Sequence, residues 1–515
     1  MKVTFYGHNC FVLKGRNIVV ITDPWLTEQG AFFGSWFQWP LNHHLIDTLK
    51  NDLSTSKKTV LYISHEHQDH FDKETLIDIK SYIDVCIIPN YQDKFLYEEL
   101  LEIGYKVIEL NDQNRYFTSE NDYIELLIVD TGVNHDSAAL IHLDDENFVN
   151  QNDCKIFDRL TYFKDINVDY YAVQFSGATW HPVCYEIDQD EKESISRKKA
   201  AAKIIAIRNA IKVINPKYYL PSAGPAIFPF LDDALSFGCG NIFIHQPELL
   251  QKLKSSNTDV VYLKPGEQLD PSKLTKPIEP PTTFELAKIK GKLHCIFEKI
   301  KDEDFCPNKL LDKVNSRLNE IKDVKFGNCP IILFDWGDEH IEIDLIQCKA
   351  RIVNASIYQL PDNYLRLSAS KAYFSLMSDS KYRWQDIALS LRVSVERKPD
   401  ILNTFANIFL FSDISNIKTG FTTTLDIKEE RIVIINPVDG KNYEIDRYCP
   451  HNGADLKDAR VDADGNLICP RHAWLFELEN NGKCKSVDAS LNAKEVIKSI
   501  SLCDSISVRL LKLDE

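Results

Sequence analysis

The nine residues "SHEHQDHFD", Ser64 to Asp72, gather three histidines among acids directly after the apolar run "VLYI". Histidines at i, i+2 and i+5 with an aspartate at i+4 cannot share one face of a regular element, but a loop leaving a strand can curl them around metal ions. His65, His67, Asp69 and His70 are therefore a candidate ligand set. Imidazole suits zinc, iron or manganese, and the carboxylate offsets metal charge. Far downstream stand Cys449-Pro450-His451 and Cys469-Pro470-Arg471-His472, with seventeen residues between them. Cysteine and histidine at two paired spacings suit an iron–sulfur centre or tetrahedral zinc.

Elements that could position these residues are legible along the chain. "KVTFYG", "CFVLKG" and "NIVVITDPWL" read as short strands bounded by turn residues. Strand and helix signals then alternate: "TVLYISH", a helix from about Asp72, "VCIIP", and the helix-like "YQDKFLYEELLEIG". "YIELLIVDTG", "AALIHL" and "YYAVQF" follow as strands, and "SRKKAAAKIIAIRNAIKVI" as a long helix stopped by Asn215-Pro216. Such a mixture predicts sheets covered by helices over residues 1–270, the expected catalytic domain. Residues 271–283 lose periodicity and hold four prolines, as a linker does. Residues 284–415 read as a central α+β domain, with a helix in "YRWQDIALSLRVSV" whose apolar stripe is Trp384, Ile387, Leu391 and Val395. From 416 to 515 short strands and tight turns, including Asp439-Gly440, predict a small all-β domain.

At 515 residues the chain is too long for one ordinary core. Its formal net charge of −16 argues against nucleic acid or an anionic membrane surface as partner. No apolar run approaches the length of a membrane span, and "MKVTFYGHNC" lacks the features of a signal peptide, so a cytoplasmic protein is expected. Thirteen scattered cysteines, an odd number, do not resemble a disulfide framework.

His65-x-His67-x-Asp69-His70, with "TDPW" at Thr22 to Trp25 before it, resembles the metallo-β-lactamase superfamily signature. That resemblance implies an αββα sandwich holding two metal ions. The first two histidines take one ion and Asp69 and His70 the other, the latter pair catalytic. It further implies His135 in "DTGVNHDS" as the third ligand of the first ion and Asp153 in "VNQNDC" as the bridge. His245 in "IFIHQP" is expected to complete the second ion, with His181 in "ATWHP" as its competitor.

The Cys449/His451 and Cys469/His472 loops resemble the Rieske pattern, which implies a [2Fe–2S] cluster with thiolates on one iron and imidazoles on the other. Ala454 and Arg471 stand where the respiratory branch carries an extra cysteine pair, so the match is to Rieske ferredoxins and oxygenases. Segments such as "VDYYAVQFSGAT", "INPKYYLPSAGPAIF" and "YRWQDIALSLRVSVERKPDIL" are similar to those of the cytidine-monophosphate N-acetylneuraminate hydroxylase family, with the Rieske domain moved to the C-terminal end.

A one-electron carrier joined to an oxygen-activating metal pair is a natural donor, which favours iron over zinc or manganese in the first site. The implied activity is a Rieske-coupled monooxygenase oxidising a small polar substrate with O2, fed by an external reductase, ferredoxin or cytochrome. The competing reading is a zinc hydrolase with a redox-sensing Rieske domain.

Overall fold

The apolar runs near the N-terminus become neighbours in a seven-stranded sheet. Its order is Glu267–Gln268, Lys2–Gly7, Cys10–Lys14, Ile18–Thr22, Lys58–Tyr62, Val85–Pro89 and Val107–Leu110. Pairing is antiparallel as far as Ile18–Thr22 and parallel beyond it. A second seven-stranded sheet runs Asp259–Val260, Tyr218–Ser222, Tyr170–Gln174, Glu146–Asn152, His135–Leu143, Tyr123–Asp130 and Arg115–Phe117. The computed structural model describes residues 1–55, 57–130, 135–177, 179–224, 226–231, 242–253, 258–273, 275–290, 299–425, 430–450, 453–471, 473–487 and 489–496.

Strand periodicity sorts the side chains into two faces. Ile18 and Val20 join Phe11, Val60 and Ile87 against Ile124, Leu126, Ile141 and Phe148 of the second sheet. Val19, Ile21, Leu61 and Ile88 face the other way, onto Leu49, Leu53, Leu76, Ile79, Leu96 and Leu100 of three helices. The outer face of the second sheet packs on Ile204, Ile207, Ile211 and Ile214 of the helix Gln189–Ile214. That helix ends at Asn215, whose left-handed φ of 50° caps it as the Asn-Pro pair predicts. These are the four layers of an αββα sandwich.

Residues beyond the proline-rich stretch form a five-stranded sheet, Lys349–Asn354, Glu339–Asp344, Ile331–Asp335, Tyr364–Ser368 and Ser394–Lys398, with helices on it. Leu310, Val314 and Leu318 of the helix Pro307–Ile321 share one core with Trp25, Phe32, Trp36 and Phe228 from loops of the sandwich. The segments on either side of 271–283 belong to one compact unit, Met1–Ile427. The predicted helix through Val395 stops at Leu389, because Leu391 takes φ 59° and Ser394–Lys398 pairs antiparallel with Tyr364–Ser368. Trp384, Ile387, Leu391 and Val395 are nevertheless all buried.

The second unit, Lys428–Glu515, is all-β among its described residues, with a three-stranded and a four-stranded sheet. Ile417 and Phe421 of the helix Ile417–Leu425 are buried in the core of the first unit. Asp439-Gly440 forms the anticipated hairpin, Gly440 at φ 72° where only glycine is unstrained. No helix among the described residues is long and apolar enough to cross a membrane.

Candidate metal centre

The strand Lys58–Tyr62 sits inside the first sheet, so the chain leaving its end is enclosed on both sides. Backbone amides of His70 and Phe71 both donate to the carbonyl of His67, at 2.9 and 2.7 Å, which closes "HEHQDH" into one tight turn. Asp72 then precedes the helix Lys73–Ile79. Its carboxylate accepts from the backbone amides of Leu26 at 3.3 Å and Thr27 at 3.1 Å, tethering this turn to the loop after the third strand.

Two overlapping groups of side chains converge there. In the first, His8 Nε2 lies 3.1 Å from Asp69 Oδ2 and 3.3 Å from His70 Nε2. In the second, Asp153 directs Oδ1 to His70 Nε2 at 3.6 Å and Oδ2 to His65 Nε2 at 3.8 Å. Ligand atoms about 2.1 Å from a shared tetrahedral ion stand roughly 3.4 Å apart, so both spacings fit metal binding. Asp153 Oδ1 and His8 Nδ1 are buried without a hydrogen-bond partner, a cost that coordination relieves in the case of the carboxylate oxygen. Asp153 directs both oxygens at members of the second group, and His70 Nε2 is the atom that the two groups share.

Behind His70 stands Asp23. Its Oδ2 accepts from His70 Nδ1 at 2.8 Å, Asn9 Nδ2 at 2.7 Å and Ser64 Oγ at 2.6 Å, and its Oδ1 from the Ser64 amide at 2.7 Å. This leaves His70 Nε2 as the atom aimed at the group. Burial would lower the His70 imidazole, but the carboxylates of Asp153, Asp69 and Asp23 overcome it and raise it to about 10. His65 is driven to about 4 by burial, against the pull of Asp153. Binding a metal here would displace a proton from His70.

His67 adjoins the second group, its Nδ1 2.8 Å from His65 Nε2. Its other nitrogen meets Gln385 Nε2 at 2.8 Å, from the helix Trp384–Leu389 of the central segment. The same helix turn brings Arg383 onto Glu66 at 3.0 Å and Asp413 at 2.8 Å, and Asp386 onto Gln68 at 3.2 Å. Burial opposes ionisation of Glu66, and Arg383 and His135 outweigh it, so the carboxyl is held well below the usual range.

Other expected ligands fall elsewhere. His135 pairs with Asp130 at 3.0 Å and packs beside Tyr91, outside both groups, while its neighbour Asp136 lies 3.5 Å from His65 Nδ1. His245, buried before the helix Gln246–Leu253, has its imidazole lowered to about 4 by burial alone and joins neither group. His8 takes the place expected for it. His181 likewise belongs to neither group. His8 was not legible because no local spacing relates residue 8 to residues 69 and 70; only its position after Gly7 at a strand end hinted at a special turn, realised at φ 50°.

In the second unit, Cys449 and Cys469 are buried at the heads of two matching turns. The Cys449 amide donates to Ala454 and the Gly453 amide to Cys449; likewise Cys469 to Trp474 and Ala473 to Cys469, all at 2.8 or 2.9 Å. Paired turns presenting two buried thiols fit a [2Fe–2S] cluster. His451 and His472 lie outside the described residues.

Residues 2–126 match the family described as "Beta-lactamase superfamily domain", and residues 407–499 the one described as "Rieske [2Fe-2S] domain". The chain is similar over 94% of its length to a protein of Mycolicibacterium smegmatis named as a Rieske 2Fe-2S iron-sulfur protein, 27% identical and covered to 98%. A protein of Mycobacterium tuberculosis named in the same way is 24% identical over the same shares. A shorter match, 23% identical, spans 44% of this chain and 34% of the cytidine monophosphate-N-acetylneuraminic acid hydroxylase of Asterias rubens.

Proposed function

The chain joins an N-terminal β-lactamase-superfamily domain to a C-terminal Rieske [2Fe–2S] domain, and from that pairing we propose that it is a Rieske-coupled oxygenase acting on a small polar substrate. The observation that carries this reading is the double ligand group at His8, His65, Asp69, His70 and Asp153 in a chain that also holds a one-electron carrier. Similarity to a hydroxylase over part of the chain supports it.

Bound by these residues, a pair of iron ions would supply oxygen activation, with electrons delivered one at a time from an external reductase or ferredoxin through the [2Fe–2S] cluster. The protein's own part is positional. Asp153 places one oxygen beside His65 and one beside His70, and Asp23 fixes the ring of His70. Gln385 holds the ring of His67, and Arg383 neutralises Glu66 inside the turn. Burial of His8, His65, Asp69 and His70 keeps water away from the ligand atoms.

The test is metal analysis of full-length protein purified without oxygen, with electron paramagnetic resonance before and after dithionite. About four irons per chain, two of them in a Rieske signal, are expected. About two irons with two zincs, and substrate hydrolysis that proceeds without oxygen or reductant, would overturn the proposal in favour of a zinc hydrolase.

A further inference from the structure

Beside the carboxylates of the metal group lies a cluster of opposite sign. The helix Gln189–Ile214 carries Lys199 and Lys203, one turn apart and so on one face. Half-buried Lys203 donates from Nζ to Gln174 Oε1 at 2.7 Å and lies 5.9 Å from the ring centre of Phe157. Gln174 ends the strand Tyr170–Gln174, whose Val173 is in register with Asn152, the residue before Asp153. The Lys203 ammonium thus sits at the sheet end that carries Asp153 of the metal group.

Lys199, an exposed residue, donates from Nζ to the carbonyl oxygen of His181 at 2.8 Å. Lys155 is near both ammonium groups, and Arg397 is near Lys199. The Arg397 guanidinium lies 5.0 Å from the ring centre of Tyr185, against which His181 packs edge-on at 4.5 Å. His181 Nε2 is buried with no hydrogen-bond partner. Arg397 Nε pairs with Asp400 at 2.5 Å.

A row of lysines on a helix is ordinarily a solvated face. Here both ammonium groups are instead turned onto neutral oxygens of the second sheet and the loop after it. Among the described residues neither has a carboxylate within ion-pair distance. Burial, then Lys155, draws the half-buried Lys203 down to about 7, against the pull of Asp153 and Asp136. Like charges assembled this way in a chain of net charge −16 raise the free energy of the empty protein, and an anion lowers it. The other arginines near the sandwich do not serve: Arg383 is consumed by Glu66 and Asp413, and Arg392 donates to Ser35.

We propose that Lys155, Lys199, Lys203 and Arg397, with His181, bind the phosphate or carboxylate of the substrate next to the metal group. Calling the ligand a substrate rests on the oxygenase reading; anion binding does not. Recognition by several ammonium and guanidinium donors suits phosphate and carboxylate alike.

The experiment is calorimetric titration of the metal-loaded full chain with inorganic phosphate and, separately, acetate. It uses the wild type, Lys199→Met/Lys203→Met, and Lys212→Met from the last turn of the same helix as a control. Saturable binding of one anion is expected, weakened about tenfold or more in the double variant and unchanged in the control. The tighter anion identifies the group recognised.

No saturable binding to wild type, or equal binding to the double variant, would overturn the proposal. The double variant is expected to unfold at or above the wild-type temperature in anion-free buffer; should it fail to fold, Lys203→Gln is titrated instead, with the same criteria. Metal content is measured on every sample, so a failed anion site with iron in place is distinguishable from a failed oxygenase reading.

Discussion

His70 donates its Nδ1 proton to Asp23 across 2.8 Å, in a pair from which water is fully excluded. Because Asp23 is itself held by Asn9 and Ser64, the ring cannot turn without breaking several bonds. Asp23→Asn keeps the shape and removes the charge. We expect metal affinity to fall by about 10- to 100-fold, read by chelator competition. An unchanged affinity would mean that Asp23 is a folding residue only.

The contact between Gln385 and His67 makes a second case. An amide can present either its nitrogen or its oxygen to His67 Nε2, and the oxygen-first orientation leaves Nδ1 free as a donor atom beside His65. Gln385→Leu should lower metal occupancy of the first unit while the Rieske signal stays intact, and Gln385→Glu should restore part of the loss. Equal metal-to-protein ratios in all three proteins would refute a positioning role.

Arg383 and Glu66 are each less than a tenth exposed and meet at 3.0 Å. Removing the arginine strands the Glu66 carboxylate in the interior and unpairs the partly exposed Asp413. Arg383→Met is expected to cost roughly 3–5 kcal/mol, followed by urea denaturation with a probe confined to the first unit. Since the folded Glu66 carboxyl is depressed, its contribution is present above the ordinary glutamate range and is lost as pH falls through it. Arg383→Met should flatten that acid limb. A loss under about 1 kcal/mol would show that the pair is solvent-screened.

Lys203 shows the same sign of dependence in a more alkaline window. It faces Lys155, Asp153 and Asp136, and its folded value near 7 lies below that of an unfolded lysine. Between those two values the unfolded chain binds the extra proton, so stability rises with pH across that window. Lys203→Met should be the more stable protein at pH 7 in anion-free buffer and should gain less than wild type between pH 7 and pH 9. A larger gain in the variant, measured by thermal unfolding, would contradict this.

Much of this architecture is legible in the sequence because it is local. Runs such as "NIVVITDPWL" and "TVLYISH" carry their strand identity in their own residues, and "HEHQDH" carries its turn in its own spacing. What escaped depends on contacts between distant segments. His8 meets Asp69 from another strand end of the same sheet, whereas His245, also buried, joins neither group. The apolar stripe Trp384, Ile387, Leu391 and Val395 marked burial correctly, yet helical spacing could not anticipate the left-handed Leu391 that turns its second half into an edge strand.

The central segment's grip on the sandwich bears on how this protein can be rearranged. Trp36 Nε1 donates to Leu389 at 2.7 Å, Val395 and Cys184 exchange a backbone bond at 2.7 Å, and Gln385 touches the metal turn itself. A cut at the proline-rich stretch, attractive to anyone designing truncations, would leave Phe32 and Trp36 uncovered and His67 unbraced. The piece that gene fusion or laboratory recombination can move intact is residues 1–427, and a catalytic half built from 1–270 should be recovered as aggregate.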